Sequence, residues 1–162
     1  MKEIKLEEWN ENPFKVIGKD WMLITAEKDG RTNMMTASWG GLGIMWGKNV
    51  VTVYIRPSRF TKEFVDAGEK FSICIMDEKY RKQLNYCGSK SGRNEDKVKT
   101  CGFSVEIGDG TVWFKESRLV LICKKLYSQP MEAAALNDEK LNNAMWKDDL
   151  HDMYIAEIEK AF

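Results

Sequence analysis

The chain has 162 residues, a single histidine (His151), three prolines, and no excess of either charge, with 25 basic and 25 acidic residues. Each scarcity excludes something. One histidine and four scattered cysteines (Cys74, Cys87, Cys101 and Cys123), with no C-x-x-C pair, offer no zinc-ligand spacing, so no metal site is expected. Charge balance leaves no global footprint for nucleic acid or an anionic membrane, although a local basic pocket is compatible with it. No run approaches the roughly 20 apolar residues of a membrane helix. The opening MKEIKLEEW is charged where a signal peptide needs an apolar segment. The expectation is a cytoplasmic protein that meets neither nucleic acid nor membrane. Repeats, low-complexity tracts and linkers are missing as well, so residues 1–162 read as one domain.

What is present is a set of short strand signals. A hydrophobic content of 43% argues for a globular fold, and a chain of this length buries roughly 70% of its unfolded surface. Trp21–Ala26, Val50–Arg56 and Phe71–Met76 are rich in β-branched and aromatic residues and bounded by turn formers. Phe103–Ile107 and Thr111–Lys115 flank Gly108-Asp109-Gly110, a hairpin signal. Arg118–Tyr127 reads as a long strand and Met153–Glu159 as the last one. Ser58 is placed to cap a helix running through Ala67. Further helices are expected over Glu78–Tyr86, Arg93–Cys101 and Asp138–Asp148. About seven strands with short helical inserts imply a mainly β fold, a closed or nearly closed barrel. Cys74 and Cys123 fall inside apolar runs and are expected to be buried thiols, while Cys87 beside Gly88 is expected to touch a pocket.

Gly41-Leu42-Gly43 is not a dinucleotide loop. Trp46 stands where a third glycine belongs, and a strand rather than a helix follows. The glycines are expected to form a turn between two strands. The chemistry lies on either side. Asn33, Thr36 and Ser38 precede them, and Arg56, Ser58, Arg59 and Thr61 follow. A hydroxyl at a helix start beside two guanidiniums suits a phosphate; equally, Ser58 could simply cap a helix while the arginines face solvent. Tyr86–Arg93 (YCGSKSGR), with Asp96-Lys97, is a second cluster suited to anions, in which Lys97 alternatively lies on a solvated helix face.

Taken together, Asn33–Gly41 (NMMTASWGG), Arg56–Phe64 (RPSRFTKEF), Tyr86–Arg93 with Asp96-Lys97, and the closing His151–Ile158 (HDMYIAEI) resemble the flavin reductase-like family, the FMN-binding split β-barrels that include flavoredoxin. The resemblance runs from about Trp9 to Ile158, with Ala156 where the family more often has glycine. It implies a homodimer of split barrels with one FMN per subunit, reduced by NADH or NADPH. By position, Asn33, Thr36, Ala37, Ser38 and Trp39 would line the flavin ring, and Arg56, Ser58, Arg59 and Thr61 would hold the phosphate and ribityl chain. Ser89, Gly92 and Lys97 would close over the flavin, Lys97 possessing the charge to favour its reduced form, and His151 would stand at the nicotinamide approach as the catalytic candidate. The implied activity is transfer of hydride from NAD(P)H to FMN and onward to free flavin or another acceptor. Two alternatives stand beside it: an FMN electron carrier reduced by a partner protein, and a non-redox barrel holding some other phosphate ligand.

Overall fold

The computed structural model describes residues 2–142 and 149–162. Its frame is one antiparallel sheet of seven strands with an added hairpin. The strands are β1 (Met22–Lys28), β2 (Arg31–Ala37), β3 (Gly40–Met45), β4 (Lys48–Ile55), β5 (Lys70–Met76), β6 (Val105–Gly108), β7 (Thr111–Phe114), β8 (Ser117–Pro130) and β9 (Asp152–Ala161). Their order in the large sheet is β2-β1-β5-β8-β9-β4-β3, and β6 pairs with β7.

Alternate side chains on β1, β5 and β8 enter two different cores. Ile24, Ile73 and Leu121 point into a core shared with Val51 and Val53 of β4, Ala156 of β9, and Phe64 and Val65 of the helix Phe60–Ala67. Leu23, Cys74, Val120 and Ile122 point the other way, towards Leu84, Cys87, Phe103 and Phe114. Both faces of these strands are therefore covered, which is why they read in the sequence as unbroken apolar runs rather than as alternations. The outer strands β2 and β3 are joined through Ser38-Trp39 and no pairing links them to each other, so the barrel is open at that seam. Cys74 and Cys123 are fully buried, as expected.

Several local expectations need correction. Gly40–Gly43 do not reverse the chain: they lie in β3, paired from Gly40↔Val53 to Gly43↔Val50, and the reversal is at Trp46-Gly47, both with positive φ. The glycine at 40 serves close approach, since a Cβ there would lie 2.7 Å from the Thr52 carbonyl oxygen. The helix Phe60–Ala67 is preceded by Arg59, which provides no side-chain cap, so Ser58 is not its cap. The strand expected over Phe103–Ile107 begins at Val105, and the one expected over Arg118–Tyr127 extends over Ser117–Pro130. Glu78–Tyr86 becomes a short 3-10 turn, Glu78–Tyr80, running into the helix Arg81–Ser89. Of Arg93–Cys101 only Lys97–Cys101 is helical, because Asp96 accepts a 3.0 Å bond from the Lys99 amide and so starts the helix. Of Asp138–Asp148, Glu139–Asn142 is helical, and 143–148 lie outside the described residues. The Gly108-Asp109-Gly110 signal is correct: Asp109 and Gly110 both have positive φ at the β6–β7 turn.

Candidate functional site

The register of the sheet assembles the site. β4 and β9 pair with Ile55 opposite Asp152, so Arg56, leaving one strand, stands beside His151, entering the other. The Pro57–Arg59 bend then carries the chain into the helix Phe60–Ala67, which packs on β1 and β2. The helix Arg81–Ser89 also packs on β2, tied there by the Thr36 hydroxyl, which donates to the Leu84 carbonyl at 2.5 Å. Three separate segments thus converge at the end of β2.

Two adjoining hollows result. The first, about 310 Å³, is lined by Arg56, Ser58, Arg59, Phe60, Thr61, Gly88–Gly92 and Lys97. The second, about 280 Å³, is lined by Met35–Trp39, Tyr54, Arg56, Arg59 and His151. Arg56 and Arg59 border both, so the hollows form one elongated site. Its combined size falls within the range of roughly 300–1,000 Å³ typical of cofactor pockets. Trp39 and His151 face each other with ring centroids 5.2 Å apart.

The serine-glycine loop is held over the first hollow by guanidiniums. Arg31 donates to the Gly92 carbonyl, and Arg59 donates to the Gly88 carbonyl at 2.9 Å. Arg93 donates to the Ser58 carbonyl at 3.1 Å and pairs with Glu63 at 2.5 Å. Arg31 and Arg93 also lie 5.2 and 4.8 Å from the Phe60 ring centroid. The Ser89 hydroxyl turns back to the Tyr86 carbonyl at 3.2 Å.

The donors of the first hollow already hold an oxyanion. The Ser58 hydroxyl and amide donate to the Asp149 carboxylate at 2.5 and 3.3 Å, and the Arg56 Nε lies 3.8 Å from the same group. An internal carboxylate thus tests the set: hydroxyl, amide and guanidinium converge on one anion, the arrangement that phosphate oxygens use. That is the actual role of the Ser58 side chain. Nothing in the sequence links residue 58 to residue 149, so Asp149 escaped the motif reading.

Arg56, Arg59 and Lys97 bring positive charge close together at the site. Burial, together with neighbouring Arg56, pushes the Arg59 guanidinium down. Burial and Arg59 push the Lys97 amine down, and burial, Arg56 and Arg59 likewise hold the His151 imidazole below its ordinary value. Each of these depressions would be relieved by a bound anion.

Lys97 is buried rather than solvated: its Nζ donates to the carbonyls of Met34 and, at 3.1 Å, Cys87. It borders the hollow of Ser58, not that of Trp39 and His151, so its charge faces the anion end. Thr36, Ala37, Ser38 and Trp39 line the second hollow, and Thr61, Ser89 and Gly92 the first. Asn33 lines neither. Its amide donates to the Thr61 hydroxyl at 3.0 Å, and its side chain fills the space a Cβ on Gly92 would need, so it supports the floor from behind. Cys87 is not in the lining either; it faces Cys101. Among the described residues no cluster of His, Cys, Asp and Glu could hold a metal ion, and no helix is long and apolar enough to cross a membrane.

Comparison with known proteins agrees with this fold. A search of curated proteins returns no match. Solved structures do match. The flavoredoxin of Methanosarcina acetivorans superposes with a TM-score of 0.72 at 22% identity, over 88% of this chain and 67% of that one. An FMN-binding domain of a flavin reductases-like enzyme from Shewanella baltica gives 0.70 at 19% identity, over 99% and 75%. An FMN-binding protein from Thermus thermophilus gives 0.70 at 16% identity, over 100% and 81%. At these identities the likeness establishes the fold, and a further neighbour from Shewanella frigidimarina (TM-score 0.70) is described as having a split barrel domain. The family model for the flavin reductase like domain matches residues 16–161. This chain therefore belongs to the flavin reductase-like domain family, with the split-barrel fold.

Proposed function

We propose that this protein binds FMN in the elongated site and uses it to take hydride from NADH or NADPH, passing electrons to free flavin or another acceptor. The observation that carries the reading is the convergence of the Ser58 hydroxyl and amide and the Arg56 guanidinium on one oxyanion, the Asp149 carboxylate; Ser58 and Arg56 line the first hollow, and Arg56 also lines the hollow walled by Trp39 and His151. Bound there, flavin supplies the hydride and electron chemistry. The chain's own residues bind and orient. Arg56, Ser58, Arg59 and Lys97 fix the phosphate end, and the segment Thr36–Trp39 places backbone and hydroxyl groups along the ring end. His151, whose imidazole is held below its ordinary pKa by burial and two nearby arginines, closes that end. No general acid–base pair is required of the protein, which suits a chain with one histidine.

A second reading is an electron carrier reduced by a partner protein, since flavoredoxins stand among the structural neighbours. Anaerobic stopped-flow mixing decides between the two. The FMN-loaded protein should lose its flavin absorbance rapidly with excess NADH or NADPH. Inertness to both nicotinamides would overturn the reductase reading in favour of the carrier, and failure to bind FMN on titration would overturn both.

The functional unit is proposed to be a homodimer. The β3 edge is open and bears exposed Ile44; exposed Trp46 stands in the turn that follows, and exposed Phe14 shares a hollow with Gly40–Leu42, and an apolar strand edge of this kind is a place for chains to pair. Sedimentation at micromolar concentration should report twice the chain mass; a monomer would overturn the proposal.

A further inference from the structure

We propose that Cys101 and Cys87 form a dithiol site for thiol–disulfide exchange with low-mass disulfides, Cys101 attacking and Cys87 resolving. It is independent of the flavin reading.

The two sulfurs lie 3.5 Å apart although neither is bonded to the other. Closing a disulfide requires that separation to fall from 3.5 Å to about 2.05 Å. The fold makes the approach feasible: Cys101 ends a helix of five residues, Lys97–Cys101, and is followed by Gly102 in the left-handed conformation. Cys87 sits on the longer helix Arg81–Ser89, which is fixed against β2. Cys101 is therefore the partner on the shorter helix, at its last residue. It is also the accessible one, partly exposed where Cys87 is fully buried.

The surroundings divide the roles in the same way. Lys97 lies four residues before Cys101, one helical turn away on the same face, and its positive charge favours a thiolate. The thiol–thiol contact, with help from Lys97, pulls the Cys101 thiol down, whereas the same contact and burial push the Cys87 thiol up. A reachable thiol beside a protected one is the division between attacking and resolving sulfurs.

The chemistry balances. The Cys101 thiolate attacks one sulfur of the external disulfide; that S–S bond breaks, one thiolate leaves, and a mixed disulfide forms. Cys87 gives its proton to solvent and attacks the Cys101 sulfur, expelling the second thiolate. Both leaving thiolates take up protons. Two protein thiols are oxidised by two electrons, and one external disulfide is reduced to two thiols.

The test is to treat the native chain with oxidised glutathione, quench with acid, and measure intact mass and free thiols. Wild type should lose two of its four thiols without keeping glutathione, and the digest should contain Cys87 linked to Cys101. Cys87→Ser should retain one glutathione on Cys101, and Cys101→Ser should react at least about tenfold more slowly than wild type. Wild type keeping all of its thiols would overturn the proposal, as would Cys101→Ser reacting as fast as wild type.

Discussion

Replacing Arg56 and Arg59 together by alanine is expected to weaken FMN binding about a hundred- to ten-thousandfold. Each charge-assisted hydrogen bond is worth roughly 1.5–3 kcal/mol, and about 1.4 kcal/mol corresponds to a factor of ten in affinity. Both guanidiniums border the two hollows, and burial and mutual repulsion already depress Arg59, so an arriving phosphate gains from both. Arg59 also holds the Gly88 carbonyl, so its loss loosens the loop. Riboflavin separates the two effects because it has the ring and ribityl chain without the phosphate. The double variant should bind riboflavin nearly as wild type does, while its preference for FMN over riboflavin collapses. Asp149→Asn should move the other way: the carboxylate that competes for Ser58 and Arg56 is neutralised, and FMN binds more tightly. Titration of intrinsic or flavin fluorescence reads all three. Unchanged FMN affinity in the double variant would refute the phosphate assignment.

The outline of the fold was legible because its strands are buried on both faces, which concentrates apolar and β-branched residues into short runs such as Phe71–Met76. The candidate anion site was legible as composition: two arginines with hydroxyls, then a serine-glycine loop with cations. What could not be read was which partner each polar group takes. A serine two residues before a helix looks the same whether it caps the helix or holds an anion, and here Asp149 decides it, 91 residues away. Gly40 shows the same ambiguity. Glycine marks both turns and close backbone approach, and only the Thr52 carbonyl across the ladder distinguishes them. For Lys97, a helix of five residues is too short for periodicity to reveal its buried face. The carbonyls that pull Lys97 inside come from β2 and from the end of another helix. Asn33 was recognisable as a polar residue near the site but not as a support beneath it, since that depends on how closely Gly92 packs over its side chain.

Lys97 should impose a pH dependence on FMN binding. Its ammonium has three donors, of which two are spent on the Met34 and Cys87 carbonyls, leaving one for the hollow it borders. Burial, with Arg59 beside it, lowers its pKa in the free protein. A phosphate dianion at the anion end stabilises the charged amine, so the pKa in the complex is higher than in the free chain. The sign follows. Below the depressed free-state value the amine is charged in both states and affinity is constant. Above it, binding must first take up a proton, so affinity falls as pH rises until the bound-state value is passed. The measurement runs upward from roughly pH 7.5, where the phosphate is already fully ionised. Lys97→Gln should lose about ten- to a hundredfold in affinity at neutral pH, as expected for one charge-assisted bond of roughly 1.5–3 kcal/mol, and its alkaline fall should vanish. Lys97→Arg, always charged, should keep more of the affinity than the glutamine variant and also lose the alkaline fall. Riboflavin should show little of this dependence in any variant, because the charge it would meet at that end is missing. A wild-type profile that matches that of Lys97→Gln would mean that Lys97 only braces Met34 and Cys87 and takes no part in holding the anion.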